Sequence, residues 1–472
     1  MKVLIIGGMG VIGGAITEAA AKKEIDVYVL SRREPFEKWK ELPVHYIQGN
    51  WRDDSFAKEL VSQYFDVIVD TLIFNEKQLL RSAGIVNGYC TQFVYISTDS
   101  VYKHPNENLC EDDNIDLEDV KWSYGYNKRM AELCLLSHSS DYKFYWTVIR
   151  PTITFGDTRI PVGYAHASKK NTFTLADRII EGKPIIRFDD PESKHALCHT
   201  SIFGEAVCEL FLKDSAASQC YHISDDKAYT YDEIFAAIED VIGKKIIYIH
   251  FPTEVVRKYS HSLYEEMIYD KDPTFILNNI KIKEMCPDVV FHKDIFEAMS
   301  STINYLKAHR DQLGEDSDYN LISDVILLKC IERIKDENER KELEKYISGF
   351  SKQYIRKLNQ FDEWRGDGSL NKEHYSKLSK NRQLYFYGNG ETAKQILLDL
   401  PGIVIKGFTH CKEKEKNVTI NGKSYDLINI KNLSENADII VASVYYDEIK
   451  KDLISEGKEE FSDFISYRYL YP

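Results

Sequence analysis

Tyr124 and Lys128 stand four residues apart in Tyr124-Gly125-Tyr126-Asn127-Lys128, so on a helix they share one face. A phenol beside an ammonium is an acid–base device, because the nearby cation favours the tyrosinate and lowers the pKa of Tyr124. The chain has 31 tyrosines, and Tyr446-Asp447-Glu448-Ile449-Lys450 repeats the spacing. Position along the chain has to choose between the two pairs.

A second set of residues makes that choice. Val3-Leu4-Ile5-Ile6-Gly7-Gly8-Met9-Gly10-Val11-Ile12-Gly13-Gly14 reads as a strand, then glycines at 7, 10 and 13, then a helix. Gly7 permits a tight turn, Gly10 lets the backbone approach a pyrophosphate, and Gly13 allows the helix to pack closely on the strand. The next strand ends in Ser31-Arg32-Arg33, where an NAD-specific domain carries an acidic residue for the ribose hydroxyls. Forked guanidinium donors suit a 2′-phosphate instead, so NADP is the expected cofactor and NAD the alternative. Lys128 is then placed to hold the nicotinamide ribose as well.

These groups need a scaffold. Short apolar runs at 2–6, 26–30, 45–47, 67–70, 93–97 and 147–150 alternate with helix-like stretches. That rhythm predicts βαβ units in a doubly wound parallel sheet, an α/β Rossmann fold over residues 1–165. Residues 166–315 mix helices such as 201–212 and 231–242 with short strands such as 246–250, and read as a smaller α/β substrate-binding domain. Leu321, Val325, Leu328, Leu343, Ile347 and Leu358 recur at helical spacing in a connector over 316–382, where charged residues 335–342 mark a turn. Runs at 384–387, 404–408 and 439–442 predict a second, small Rossmann-like domain over 383–472. Residues 1–315 are expected to fold on their own.

Bulk properties narrow the function classes. A formal charge of -14 argues against a general grip on nucleic acid, which needs a concentrated basic surface. Nine cysteines without a Cys-x-x-Cys pair suggest neither a disulfide framework nor a thiolate zinc site, and a reducing cytoplasm fits them best. No apolar run approaches a membrane span, and the amino terminus lacks a signal-like core.

Taken in order, the motifs resemble the extended short-chain dehydrogenase/reductase superfamily, with its NAD-dependent epimerases and dehydratases of nucleotide sugars. The resemblance covers about residues 1–310. It is carried by the glycine motif, Ser97-Thr98-Asp99-Ser100-Val101-Tyr102, the Tyr124/Lys128 pair and Arg150-Pro151-Thr152-Ile153-Thr154-Phe155-Gly156. It implies that Thr98 binds the reacting oxygen, that Tyr124 is the acid/base and that Lys128 is its partner. It also implies a dinucleotide held by Gly7, Gly10, Val11, Ile12, Gly13, Ser31, Arg32, Arg33, Asn50, Asp70, Thr71, Leu72 and Pro151, with Asn50 where the family commonly has an adenine-binding aspartate. The substrate implied is a nucleotide sugar, and a homodimer is an open alternative to a single chain.

The chain departs from the family in two places that bear on the reaction. Sugar 4,6-dehydratases carry a glutamate after the aspartate of the Thr-Asp motif, and it removes a carbon-bound proton. Ser100 stands there, and a neutral hydroxyl is too weak a base for that step. Water loss is therefore not expected, which leaves ketosugar reduction or epimerisation, with a lean to reduction. Many sugar epimerases carry Arg-Asp-x-x-His where this chain has His195-Ala196-Leu197-Cys198-His199. Two histidines without a neighbouring carboxylate motif read as structural, and no metal is expected.

The last domain, with Tyr387-Gly388-Asn389-Gly390, resembles small modules found with sugar acyltransferases and glycosyltransferases. Ligand binding and a structural role both stay open for it, and it points to surface polysaccharide biosynthesis. A rival reading comes from residues 178–184, 221–224 and 275–283. They resemble a branch that includes the chloroplast stem-loop-binding proteins, so the chain could be a catalytically reduced dinucleotide-binding or RNA-associated scaffold. Those relatives usually lack the Tyr-x3-Lys pair that this chain keeps, which favours an enzyme.

Overall fold

The six apolar runs and a seventh strand, which comes from the stretch assigned to the substrate-binding domain, form one parallel sheet: β1 (Lys2–Ile6), β2 (Asp26–Ser31), β3 (His45–Gln48), β4 (Phe65–Asp70), β5 (Cys90–Ile96), β6 (Tyr145–Pro151) and β7 (Gln219–Ile223). In this computed structural model, which describes residues 1–35, 37–162, 173–187, 192–365, 383–400, 402–411, 417–434, 436–460 and 463–467, the strand order is β7-β6-β5-β4-β1-β2-β3. Successive side chains of a strand face opposite ways, so a sheet covered on both faces needs apolar residues at every position. β1 shows this directly: Val3 and Ile5 join one buried cluster, Leu4 and Ile6 the other. The order reverses between β1 and β4, which opens a crevice at their carboxyl ends.

The first helix, α1 (Val11–Lys22), leaves β1 through the glycine turn and packs on α2 (Thr200–Glu209). At that crossing a Cβ on Gly204 would come within 2.1 Å of the Ala15 carbonyl oxygen, so only glycine permits the approach. A smaller sheet pairs Lys194–His199 with Ala228–Thr230, Phe275–Leu277 and Ile153–Phe155. Helix Tyr231–Ile242 starts on a capping box between Thr230 and Glu233, a local signal that makes its bounds readable from sequence.

The chain divides into two compact units, and the division is interleaved. One comprises residues 1–183, 188–246 and 265–316; the other comprises 184–187, 247–264 and 317–472. The stretch read as one substrate domain, 166–315, thus contributes to both. The physical reason is a two-stranded parallel pairing of Ile185–Arg187 with Tyr248–His250, which buries Ile185, Ile186 and Ile249 within the second unit. His250 donates its backbone N–H to Glu339 there (2.9 Å). Two of the expected domain boundaries, near 165 and 382, lie outside the described residues.

The second unit also holds helices Ser317–Lys329, Glu337–Ser348 and Lys352–Arg365, whose repeating Leu321, Val325, Leu343 and Leu358 are buried. Much of the charged segment 335–342, read as a turn, is the first part of Glu337–Ser348, because Asp336 accepts hydrogen bonds from the Asn338 and Glu339 amides and caps the helix. Beyond them a six-stranded sheet runs Asn417–Ile420, Lys423–Asn429, Gly407–His410, Gln383–Tyr387, Ala437–Val441, Phe464–Ser466, all parallel except the first pair. This is the small Rossmann-like fold expected from the sequence.

Candidate active site

The glycine turn does what its spacing predicts at two positions. Gly7 adopts φ +78°, and a Cβ there would lie 2.3 Å from Thr71 Oγ1; a Cβ on Gly13 would lie 2.3 Å from the Gly7 carbonyl oxygen. Beside Gly10 there is room, the nearest atom to a Cβ being 3.7 Å away. That room opens on a cleft of about 560 Å³ at the carboxyl ends of the central strands.

Gly7, Gly10, Val11, Ile12, Gly13, Ser31, Arg32, Arg33, Asn50, Thr71 and Leu72 all line it. Two residues expected to touch a dinucleotide do not. Asp70 is buried beneath the cleft, where it accepts hydrogen bonds from Trp51 Nε1 (3.1 Å), the Leu72 amide (2.8 Å) and the Ser82 hydroxyl. It shapes the Thr71-Leu72 turn from below, and burial raises its pKa. Pro151 is buried at the end of β6, paired with Ile223. Neither lines the cleft. Asn50 spends its side-chain oxygen on the Arg52 amide (3.1 Å). Arg52 and Arg159 line the same cleft and carry no sequence signal of their own beyond one: Arg159 lies just past the Arg150–Gly156 motif.

A dinucleotide fits these residues on the structure's own terms: a turn from which Cβ atoms are excluded, an open approach at Gly10 and three exposed arginines, Arg32, Arg33 and Arg52, at one end.

The candidate catalytic groups Thr98, Tyr124 and Lys128 do not themselves line the cleft, and its lining residues Phe74 and Arg159 connect it to them. Helix Ser123–Ser137 carries Tyr124 and Lys128 on one face, the Lys128 Nζ lying 5.9 Å from the centre of the Tyr124 ring. Lys128 is 2% exposed and donates to the carbonyl oxygens of Ile73 (2.6 Å) and Ile96 (2.8 Å). Burial brings its pKa down to about 7, against the opposing pull of Asp70 and Glu132. The spacing alone predicts that Lys128 lowers the pKa of Tyr124. Here the tyrosine is pushed above its ordinary value, first by burial and then by the charges of Asp99 and Asp270, with Arg159 and Thr98 pulling the other way. The Lys128 ammonium spends two of its donors on backbone carbonyls.

Thr98 ends β5 and caps the short turn Asp99–Val101. Its hydroxyl donates to Asp99 Oδ1 (3.1 Å) and lies 3.1 Å from Ser100 Oγ. Ser100 in turn donates to Asp270 Oδ1 (2.8 Å), a residue absent from any motif. Asp270 also pairs with Lys271. Despite burial, Lys271, His104 and the Ser100 hydrogen bond hold Asp270 below its ordinary pKa, whereas burial and the Asp270 charge lift Asp99 to about 7.

The remaining sequence candidates settle into structural places. His199 caps α2 through the Ser201 amide (3.2 Å). His195 lies on the smaller sheet against the Tyr231 ring at 4.3 Å. Tyr446 donates to Glu460 (2.7 Å), which also pairs with Lys450 (2.7 Å), so the second Tyr-x3-Lys match is an internal ion-pair cluster. Among the described residues no helix is long and apolar enough to cross a membrane.

A model of the NAD dependent epimerase/dehydratase family matches residues 3–76 and 75–219. The matched segment is similar to that family. It holds the cleft, Thr98, Tyr124 and Lys128, whereas Asp270 lies beyond it. No curated protein matches the chain in sequence. Solved structures with the same fold include UDP-glucuronic acid 4-epimerase from Bacillus cereus in complex with UDP-glucuronic acid and NAD, at 15% identity and a TM-score of 0.53, covering 65% of this chain and 99% of that one. The UDP-glucose 4-epimerase of Thermus thermophilus complexed with NAD is similar at 17% identity and 0.52, covering 65% and 99%. So is the dTDP-glucose 4,6-dehydratase of Bacillus anthracis str. Ames in complex with NAD, at 15% and 0.52, covering 66% and 98%. At such identities the likeness is one of fold.

Proposed function

We propose that the chain is a nicotinamide-dependent oxidoreductase or epimerase acting on a nucleotide-activated sugar, working with NADP in surface polysaccharide biosynthesis. The observation that carries this reading is the meeting of one cleft with one acid–base group: Phe74 and Arg159 line the cleft, the Lys128 ammonium lies 5.0 Å from the Phe74 ring, and Arg159 acts electrostatically on Tyr124.

A bound nicotinamide supplies hydride exchange at a carbinol carbon. Tyr124 moves the proton of the sugar hydroxyl at its phenolic oxygen, and Thr98 holds that oxygen by hydrogen bonding. Lys128 would hold the nicotinamide ribose. Its two carbonyl partners keep it fixed, and a pKa near 7 makes its charge sensitive to what binds. Arg32, Arg33 and Arg52 favour a phosphorylated ribose, since none is paired with a carboxylate among the described residues. The scaffold alternative has less support, because the acid–base residues and the cleft occur together.

The test is to mix the full chain and either dinucleotide with UDP-glucose, UDP-glucuronic acid and dTDP-glucose while following nicotinamide absorbance and product configuration. Absorbance change or inverted sugar at a catalytic rate is expected. Tight dinucleotide binding with no change in any sugar would favour the scaffold.

A further inference from the structure

Two lysines from different helices converge on one carboxylate in the second unit. Lys450 on helix Tyr446–Ser455 and Lys357 on helix Lys352–Arg365 reach the same oxygen of Glu460, Oε2, at 2.7 and 3.4 Å. The other oxygen accepts the Tyr446 hydroxyl (2.7 Å). Glu460 is buried, and although burial pushes the other way, Lys450, Tyr446 and Lys357 hold its carboxyl below the ordinary pKa. Two ammoniums therefore share one negative charge.

Lys357, Lys450 and Glu460 wall a cavity of about 630 Å³, which Lys458, Tyr354 and Ile454 also line. Every lining residue belongs to the second unit, and none is shared with the dinucleotide cleft. The cavity is distinct from the glycine turn at 388–390 as well. That turn follows the carboxyl end of strand Gln383–Tyr387, whereas residues 457–460 lead into the amino end of Phe464–Ser466, and these strands run parallel through Ala437–Val441. Open α/β sheets take their ligands at the carboxyl ends, so the fold alone does not foretell a site here.

A helix end supplies the third cation. Gly457 takes φ +77°, its amide donates to the Ile454 carbonyl, and the Lys458 amide donates to the Leu453 carbonyl, each at 3.0 Å. This turn fixes Lys458 at the cavity wall and satisfies helix-end carbonyls that would repel an anion. Among the described residues the Lys458 ammonium has no hydrogen bond or ion pair. Glu459, the other carboxylate of the lining, has Arg356 4.0 Å away. The cavity thus carries an excess of positive charge in a chain whose formal charge is -14.

We propose that this cavity binds a small phosphate-bearing molecule, with the phosphate on Lys450 and Lys458 and the rest of the molecule against Ile454 and the Tyr354 ring. Ammonium groups bind phosphate as point charges, and a doubly charged anion balances what the Glu460 carboxylate leaves uncompensated. The volume is that of a metabolite site and exceeds the need of a bare ion. The apolar wall is ready for a larger body: the Tyr354 hydroxyl is tied to Asp324 (2.7 Å), which holds the ring, and Ile454 is 51% exposed. A ligand here joins helix Lys352–Arg365 to the last module, so it stabilises the folded chain.

The experiment titrates the full chain with inorganic phosphate and with phenyl phosphate by calorimetry, in the absence of sugar and dinucleotide. Phenyl phosphate should bind at about 1 mM or below, more tightly than inorganic phosphate, and more weakly as salt is added. Lys458→Ala breaks no pair in the free protein and should weaken binding by about tenfold. Glu460→Gln releases two ammoniums and should tighten binding by about tenfold, a direction that loss of folding cannot imitate. Arg33→Ala, in the dinucleotide cleft, should leave the affinity unchanged. The site is overturned if phenyl phosphate fails to bind at about 10 mM, or if its binding responds to Arg33→Ala and not to Lys458→Ala. Equal affinity for the two probes would overturn the seat on Ile454 and Tyr354. Neither probe needs turnover, so the result stands whichever way the sugar experiments fall.

Discussion

Arg150 grips Glu132 with two parallel hydrogen bonds, Nε to Oε1 and Nη2 to Oε2, each 2.9 Å. Glu132 lies one helical turn beyond Lys128, so this buried pair anchors the helix that presents both Tyr124 and Lys128. The other guanidinium nitrogen, Nη1, reaches the Tyr102 hydroxyl (2.5 Å), which lies 2.7 Å from His222 Nε2.

Breaking that pair on one side leaves a buried guanidinium without its counter-charge. Glu132→Ala should therefore destabilise the protein by about 3–5 kcal/mol in denaturant unfolding. Glu132→Gln, which keeps an acceptor, should cost less. Equal and small losses would show that the helix is held elsewhere.

Tyr124→Phe should lower turnover by about 10²–10⁴-fold with little change in dinucleotide affinity. Tyr446→Phe supplies the contrast, because Tyr446 donates to Glu460 within the second unit. Comparable losses from both would refute the assignment of Tyr124.

Because Ser31, Arg32, Arg33 and Arg52 line one end of the cleft, NADP should bind more tightly than NAD by about 1–3 kcal/mol. Calorimetry on Arg32→Ala, Arg33→Ala and Ser31→Asp should show each narrowing the gap. Equal affinities in the wild type would contradict the arginine reading.

Burial holds His195 neutral, with a pKa near 3 against an ordinary 6.5, and Lys271 adds to the effect. Between pH 6.5 and 3 the unfolded chain binds a proton at this position that the folded chain does not, so its contribution to stability falls as pH falls. The slope is up to about 1.4 kcal/mol per pH unit. His195→Phe should thus lose less stability on acidification than wild type, as urea midpoints at about pH 7 and about pH 5 would show. Parallel losses in both proteins would mean that the imidazole is charged in the folded state.

What the sequence disclosed is what lies close together along the chain. Gly13 is fixed by the Gly7 carbonyl oxygen only a few residues away, although Gly7 itself meets Thr71 beyond β4, and the parallel strands announce themselves as apolar runs because both faces are covered. Tyr124 and Lys128 share a helical turn. Asp270 could not be found this way: it sits on a short π-turn without periodicity, and only the folded chain sets it against Ser100. The same holds for Lys128, whose partners are carbonyl oxygens and leave no mark in residue types. Asp70 belongs to the cleft by its place at the end of β4, yet its three donors come from Trp51, Leu72 and Ser82 and turn it inward.

The interleaved division of the chain has a consequence for the order of synthesis. Ile185–Arg187 and Tyr248–His250 emerge from the ribosome before Ser317–Lys329 and Glu337–Ser348, the helices that pack on the first and the second of them, have been made. The first unit is thus completed around two loops that carry the apolar Ile185, Ile186 and Ile249 of a partner not yet translated. A nascent chain in that interval presents sticky strand edges, the kind of surface that chaperones hold. A gene cut after codon 316 would freeze the protein at that stage, with the pair stranded outside any core.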